Sequence, residues 1–372
     1  MNGLGEWKGR DEMSRIEWCD ETWNPTRGCS RVSAGCEHCY AERVAHRFSG
    51  PGQPYEGLTV VSSCARGVKP PRWTGEVRLV PEVLDRPLRW RKPRRVFVDS
   101  MSDLFHDAVP FEFAAAVFGV MAASPRHTFQ VLTKRPERMR EFFTWMDVQA
   151  SEQRGITKAP CTHETAFRYA FDALPLRDSR KRLLLGEQWE AMRVIQASDD
   201  YGTLWPLPNV GLGVSVENQA TADARIPELL DCPAAWRFVS YEPALGPVDF
   251  RRVDARYTIG GGLESVEDAM IGEFWSEGWH QGERIDWLII GGESGPGARP
   301  FDIAWARDTI AACKAAGVPV FVKQLGAQPV DCLSGPYPEP IDDSTIVHLR
   351  HPKGADMAEW PADLRVRKMP DA

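Results

Sequence analysis

Three of the chain's nine cysteines fall within eleven residues, in the segment WNPTRGCSRVSAGCEHCYAER spanning 23–43. The spacing is C-x6-C-x2-C, with Cys29, Cys36 and Cys39 as the candidate metal ligands. Thiolates at this density suit two centres. An iron–sulfur cluster usually takes four cysteines, so a three-cysteine loop implies a [4Fe–4S] cluster with one iron open to another ligand. Zinc is the rival, with His38 or His46 completing a Cys3His tetrahedron. Spacing alone leaves both open. Gly28 and Gly35 each precede a cysteine and give the loop backbone freedom. The pattern YAERVAHRF turns helical straight after Cys39, which places Cys36 and Cys39 at a helix N-terminus, where free amides favour thiolate or sulfide.

Such a loop needs a scaffold. Short apolar runs rich in β-branched residues recur along the chain, each leading into a polar turn and often a helical pattern. They predict strands at Arg15–Trp18, Arg95–Val98, Thr128–Leu132, Val210–Val216, Trp236–Ser240, Asp286–Ile290 and Val318–Lys323. Helices are expected at Phe111–Ala123, near Ala222–Leu230 and at Ile303–Ala316. The alternation predicts an α/β fold with parallel strands, as a partial (β/α) TIM-like barrel with loop insertions; a doubly wound open sheet fits the same pattern. The barrel is expected over residues 14–326, with insertions near 147–207 and 250–284 and a wrapping or partly disordered C-terminal tail at 327–372.

Barrels carry their chemistry after the strands. Ser100, Ser102 and Asp103 follow the second predicted strand, and Thr133, Lys134 and Arg135 the third. Lys134 could neutralise a carboxylate or phosphate. Ser215 and Glu217 end the fourth strand, with Arg225 one helical span beyond. Tyr241 and Glu242 follow the fifth, and Gly291, Gly292 and Glu293 the sixth, where glycine permits close backbone approach to a ligand. Lys323 and Gln324 close the series. No phosphate-binding G-x4-G-K-[ST] loop and no G-x-S-x-G elbow occurs. Asp103, Glu217, Glu242 and Glu293 would supply acid and base to a TIM-barrel hydrolase, with the cysteines then structural.

Composition fits a globular enzyme: of 372 residues 43% are hydrophobic and 26% charged. No apolar run approaches a membrane span, and MNGLGEWKGRDEMSR lacks a secretory core, so a cytoplasmic protein is expected. An odd cysteine count argues against a disulfide framework. The net charge is −7, yet Arg66–Arg95 holds ten Lys and Arg against three acids. That local excess could meet a nucleic acid or simply solvate a face; a zinc- or cluster-stabilised nucleic-acid-binding protein is a further alternative.

The cysteine loop resembles the radical-SAM superfamily, with a wider first gap than its commonest form. The surrounding IEWCDETWNPTRGCSRVSAGCEHCYAER, with FVDSMSDLFHDAVP, FQVLTKRPERM, VGLGVSVENQ, FVSYEPALGP, IIGGESGPGARP and FVKQLG, is similar to a phage- and prophage-associated subgroup. A more distant likeness is to spore photoproduct lyase-like proteins. The superfamily usually has an aromatic residue before the third cysteine; here it is His38, and Tyr40 follows. The resemblance implies an enzyme that reductively cleaves S-adenosylmethionine at a [4Fe–4S] cluster to abstract hydrogen from a substrate, which the basic segment suggests is a nucleic acid or nucleobase. An electron donor such as flavodoxin or ferredoxin would serve it. By position, the resemblance places Asp103 at the cosubstrate's amino group, Ser215 and Glu217 at its ribose and Arg225 at its carboxylate.

Overall fold

The computed structural model describes residues 16–64, 67–154, 162–182, 184–185, 205–255, 265–275, 279–332 and 346–370. Seven strands form the main sheet: β1 Glu21–Trp23, β2 Arg95–Val98, β3 Thr128–Thr133, β4 Val210–Val216, β5 Trp236–Tyr241, β6 Trp287–Gly291 and β7 Val320–Gln324. They pair in chain order and all in parallel. The sheet curls into a half-barrel flanked by helices. The longer helices among the described residues are α1 Tyr40–Arg47, α2 Phe111–Ala122, α3 Pro136–Arg154, α4 Thr162–Ala173, α5 Gln219–Leu230 and α6 Ile303–Ala316. Local chemistry sets their ends. Asn218 and Thr221 form a reciprocal capping box at α5, the Asp302 carboxylate caps α6, and Gly317, at φ 72°, ends it.

Alternation along the strands builds two cores. Val96, Val98, Phe129, Val131, Leu212, Val214, Val239, Leu288, Ile290 and Val322 face the helices and form the larger one. Phe97, Phe238, Trp287, Ile289 and Phe321 face the other way, closed over by Trp18. The Trp18 ring lies 4.6 Å from Phe97 and 6.1 Å from Trp287, and Trp287 lies 5.9 Å from Phe238. One step further along these strands the same face carries small or polar residues: Ser215, Ser240, Gly291 and Lys323.

The first strand is not where the apolar run predicted it. Residues 16–18 form a turn, Arg15 lies outside the described residues, and the edge strand is Glu21–Trp23. Trp18 gave the run its strand-like look, but its ring is spent on plugging the inner face. Within the region 250–284, Val253–Ala255, Ser265–Asp268, Glu273–Trp275 and Trp279–Gln281 make a separate antiparallel sheet. Much of 147–207 lies outside the described residues; α4 packs on α2, and α3 already runs to Arg154. Beyond the last strand, residues 366–368 run antiparallel beside β7. Among the described residues no helix is long and apolar enough to cross a membrane.

Candidate functional site at the cysteine loop

The loop from Gly28 to Cys39 lies across the carboxyl ends of the strands, tied to four of them. After β2, His106 Nε2 lies 2.9 Å from Ser30 Oγ. After β3, Arg135 donates to Ser30 O and Ser30 Oγ, both at 2.9 Å. After β4, Glu217 accepts from Ser33 Oγ at 2.8 Å. After β6, Arg299 donates to Ala34 O at 2.9 Å and pairs with Glu37. Tyr40 donates to Ser100 O, and Arg43 donates to Pro296 O at 3.0 Å. Inside the loop region, Arg31 forks onto the buried Glu42, which also accepts from Trp73 N at 3.1 Å. The acid of the CYAER motif is thus an anchor.

Both glycines before the cysteines are required by close approach. Gly28 has φ 91°, and a Cβ there would stand 2.2 Å from Glu76 O. At Gly35 a Cβ would stand 2.4 Å from Glu217 Oε1.

Cys29, Cys36 and Cys39 are free thiols. Burial first, then the Asp103 charge, pushes Cys29 up to about 12, while Arg135, whose Nη1 stands 3.8 Å from its sulfur, pulls down. Burial also raises Cys39, which is the N-cap of α1; the amides of Glu42 and Ala41 oppose that rise. Cys36 adds a little to the rise of Cys39, and Cys39 to that of Cys29. Among the described residues no three His, Cys, Asp or Glu side chains are grouped as a metal site. Of the two histidines that could complete a zinc site, His46 has Nδ1 3.2 Å from Thr59 Oγ1, and the His38 ring lies beside Gly297.

The remaining site residues fall round the same rim. Asp103 is buried and accepts from Phe105 N, Thr133 Oγ1, Lys134 N and Arg135 Nη1 at 3.0, 2.7, 3.2 and 2.9 Å. Ser102 donates to Gly28 O at 2.6 Å, and Ser100 to Asn24 Oδ1 at 3.1 Å. Glu217 is fully buried between Lys134 and Arg225, each 3.2 Å away. Burial alone would raise its carboxyl, but Lys134, Arg225 and the Ser33 hydroxyl outweigh it and hold it below the usual range. Arg225 also donates to Ser215 O at 2.6 Å. Glu242 takes Lys323 Nζ on both oxygens, at 2.7 and 3.0 Å, and Gln324 Nε2 at 3.2 Å. Gly291 packs against Glu242, and a Cβ at Gly292 would meet Leu325 O at 2.5 Å. Glu293 grips Arg299 through three hydrogen bonds. Each of the four carboxylates is thus matched to a cation, an arrangement suited to holding structure rather than trading protons.

Sequence reasoning placed Arg135 after its strand without giving it a role, and passed over Ser30, Ser33, His106 and Arg299. Only position carried a signal: each sits in the loop or just beyond a strand. Of the basic segment, Arg89, Arg94 and Arg95 pair with Asp85, Glu21 and Asp20, while Lys69, Arg72, Arg91 and Lys92 are exposed. Arg66 lies outside the described residues.

Fold and site together define a parallel α/β half-barrel with a three-thiol loop strapped over the carboxyl ends of its strands. The chain belongs to the family described as "Protein of unknown function (DUF5131)", which matches residues 13–334. No curated protein and no solved structure matches it. This corrects the resemblance drawn from the motifs: the family matched across the barrel is this one and not a radical-SAM family, and the likeness to spore photoproduct lyase-like proteins falls with it.

Proposed function

We propose that the chain is an iron–sulfur enzyme that binds S-adenosylmethionine, cleaves it reductively and takes hydrogen from a substrate. The observation that carries this reading is the loop itself: three free thiols strapped across the strand ends where such folds place chemistry. The donor set fits a [4Fe–4S] cluster held by Cys29, Cys36 and Cys39 with one iron open. Zinc is the rival for the same thiols, with His46 Nδ1 turned to Thr59 Oγ1. When bound, the cluster supplies the electron that breaks the sulfonium bond of S-adenosylmethionine. The protein's share is positional. Glu217, Arg135 and Arg299 fix the loop, the aromatic layer around Trp287 keeps water from below, and Ser215, Ser240 and the Glu242–Lys323 pair offer polar contacts at the mouth. A small acidic electron carrier such as flavodoxin or ferredoxin would deliver the electron. A nucleic-acid substrate would be sought at Lys69, Arg72, Arg91 and Lys92.

Anaerobic reconstitution tests the reading. About four irons and four sulfides per chain are expected, with a paramagnetic reduced state whose spectrum changes on adding S-adenosylmethionine, and 5′-deoxyadenosine among the products. Colourless protein holding stoichiometric zinc would overturn it.

A further inference from the structure

Among the described residues, Arg135 is the cation in hydrogen-bonding reach of a loop sulfur, and it is buried. Its position is over-determined. Nη1 bonds Asp103 Oδ2 at 2.9 Å and reaches Cys29 Sγ at 3.8 Å; Nη2 bonds both the carbonyl and the hydroxyl of Ser30; its own amide donates to Thr133 Oγ1 at 2.9 Å. Asp103 is in turn fixed by Thr133, Phe105 and Lys134, so the acid is a strut that cannot follow the guanidinium if it moves. A planar guanidinium with both terminal nitrogens engaged is held in one orientation, and in that orientation Nη1 stands 3.8 Å from the Cys29 sulfur.

We propose that Arg135 is a positioning residue that sets the reduction potential of the cluster, by presenting a fixed positive charge to the Cys29 thiolate. The proposal rests on the cluster reading above. A cluster ligated by thiolates is already anionic, and reduction adds one more negative charge. A guanidinium beside a ligand sulfur stabilises that added charge, the more so where burial keeps water from screening it. Arg135 therefore raises the potential, bringing the reduced state within reach of a protein electron donor. Asp103 works against it: by pairing with Arg135 it holds the guanidinium in place and cancels part of its charge. The two residues should therefore move the potential in opposite directions.

The test is potentiometric titration of the reconstituted full-length protein, followed by electron paramagnetic resonance, after iron has been counted in each variant. Arg135→Met keeps length and removes charge, and its midpoint is expected below wild type at equal iron content. Arg135→Lys restores the charge without the fork, and should recover part of the fall. Asp103→Asn leaves Arg135 uncompensated, and its midpoint is expected above wild type. A merely structural role would lower iron content or melting temperature without giving shifts of opposite sign. Equal midpoints, or shifts of one sign, overturn the proposal. Should Arg135→Met fail to hold iron, Asp103→Asn decides alone: a midpoint at or below wild type overturns it. A wild-type chain that takes up no iron refutes the cluster reading first, and is seen before any variant is compared.

Discussion

Asp99 adopts φ 56° directly after β2, a left-handed conformation that side-chain-bearing residues seldom take. Its carboxyl is buried; Oδ1 accepts from Thr26 N at 3.1 Å, and Oδ2 has no partner among the described residues. Burial, only partly opposed by the Thr26 hydrogen bonds, raises its pKa from 3.8 to about 8. The folded chain therefore holds this proton where the unfolded chain has released it. Stability from this group is full below about pH 4 and is lost as pH rises through about 8. Asp99→Asn keeps the acceptor for Thr26 and tolerates the backbone. It should melt above wild type at pH 9 and converge with it toward pH 5. Thermal melts across that range check this; parallel curves would refute it.

The ligand cysteines are judged at the same scale. Cys29→Ala, Cys36→Ala and Cys39→Ala are each expected to abolish cluster assembly, since a three-point site rarely survives losing one ligand. Cys232 and Cys313, buried in the helical core, should be dispensable for iron when changed to Ala. Full iron in Cys36→Ala would sink the assignment. Gly35→Ala drives a methyl into Glu217 and should cost about 1–3 kcal/mol, with reduced iron uptake, even though every thiol remains. The thiols were legible because they cluster in sequence. The Arg135–Cys29 and Ser33–Glu217 contacts were not, because they join positions 106 and 184 residues apart, and spacing says nothing across such distances.

At the scale of elements, β4 shows how one strand makes room for its neighbour. Gly211 and Gly213 lie in register with Trp236 and Phe238 of β5, and a Cβ on either glycine would enter the neighbouring ring at 2.2 or 2.5 Å. Glycine weakens a strand on its own, but here its missing side chains let the aromatic layer of the inner face close up. Gly213→Val improves strand propensity yet should lower the melting temperature, by about 1–3 kcal/mol of overpacking. A variant as stable as wild type would show that the ring moves aside freely. The interior strands were readable, with β2 and β4 found at the expected residues, because strands buried on both faces are continuous apolar runs. The edge strand was not. Glu21–Trp23 is three residues long and holds one apolar residue, Trp23, so no run marks it, whereas Ile16 and Trp18 nearby pack from a turn.

At the scale of the whole molecule, the open half-barrel has an edge to protect. β7 lies at one end of the sheet, and its free side is covered by residues 366–368. Val322 N donates to Val366 O at 2.8 Å, Lys368 N donates to Val320 O at 2.9 Å, and Trp287 Nε1 reaches Lys368 O at 2.9 Å. Arg367 lies over the Phe321 and Trp360 rings, with Trp360 and Leu364 buried behind. The family match ends at residue 334, so this cover lies beyond the matched region. An uncovered parallel edge presents unpaired amides and carbonyls to any other chain. Deleting residues 346–372 is therefore expected to lower the melting temperature and to cause concentration-dependent self-association, seen by light scattering. Lys368→Pro removes one donor to the edge and should cost about 1 kcal/mol without exposing the rest. A truncated chain that stays monomeric and melts unchanged would show that β7 needs no cover, and that the curl of the sheet alone protects its edge.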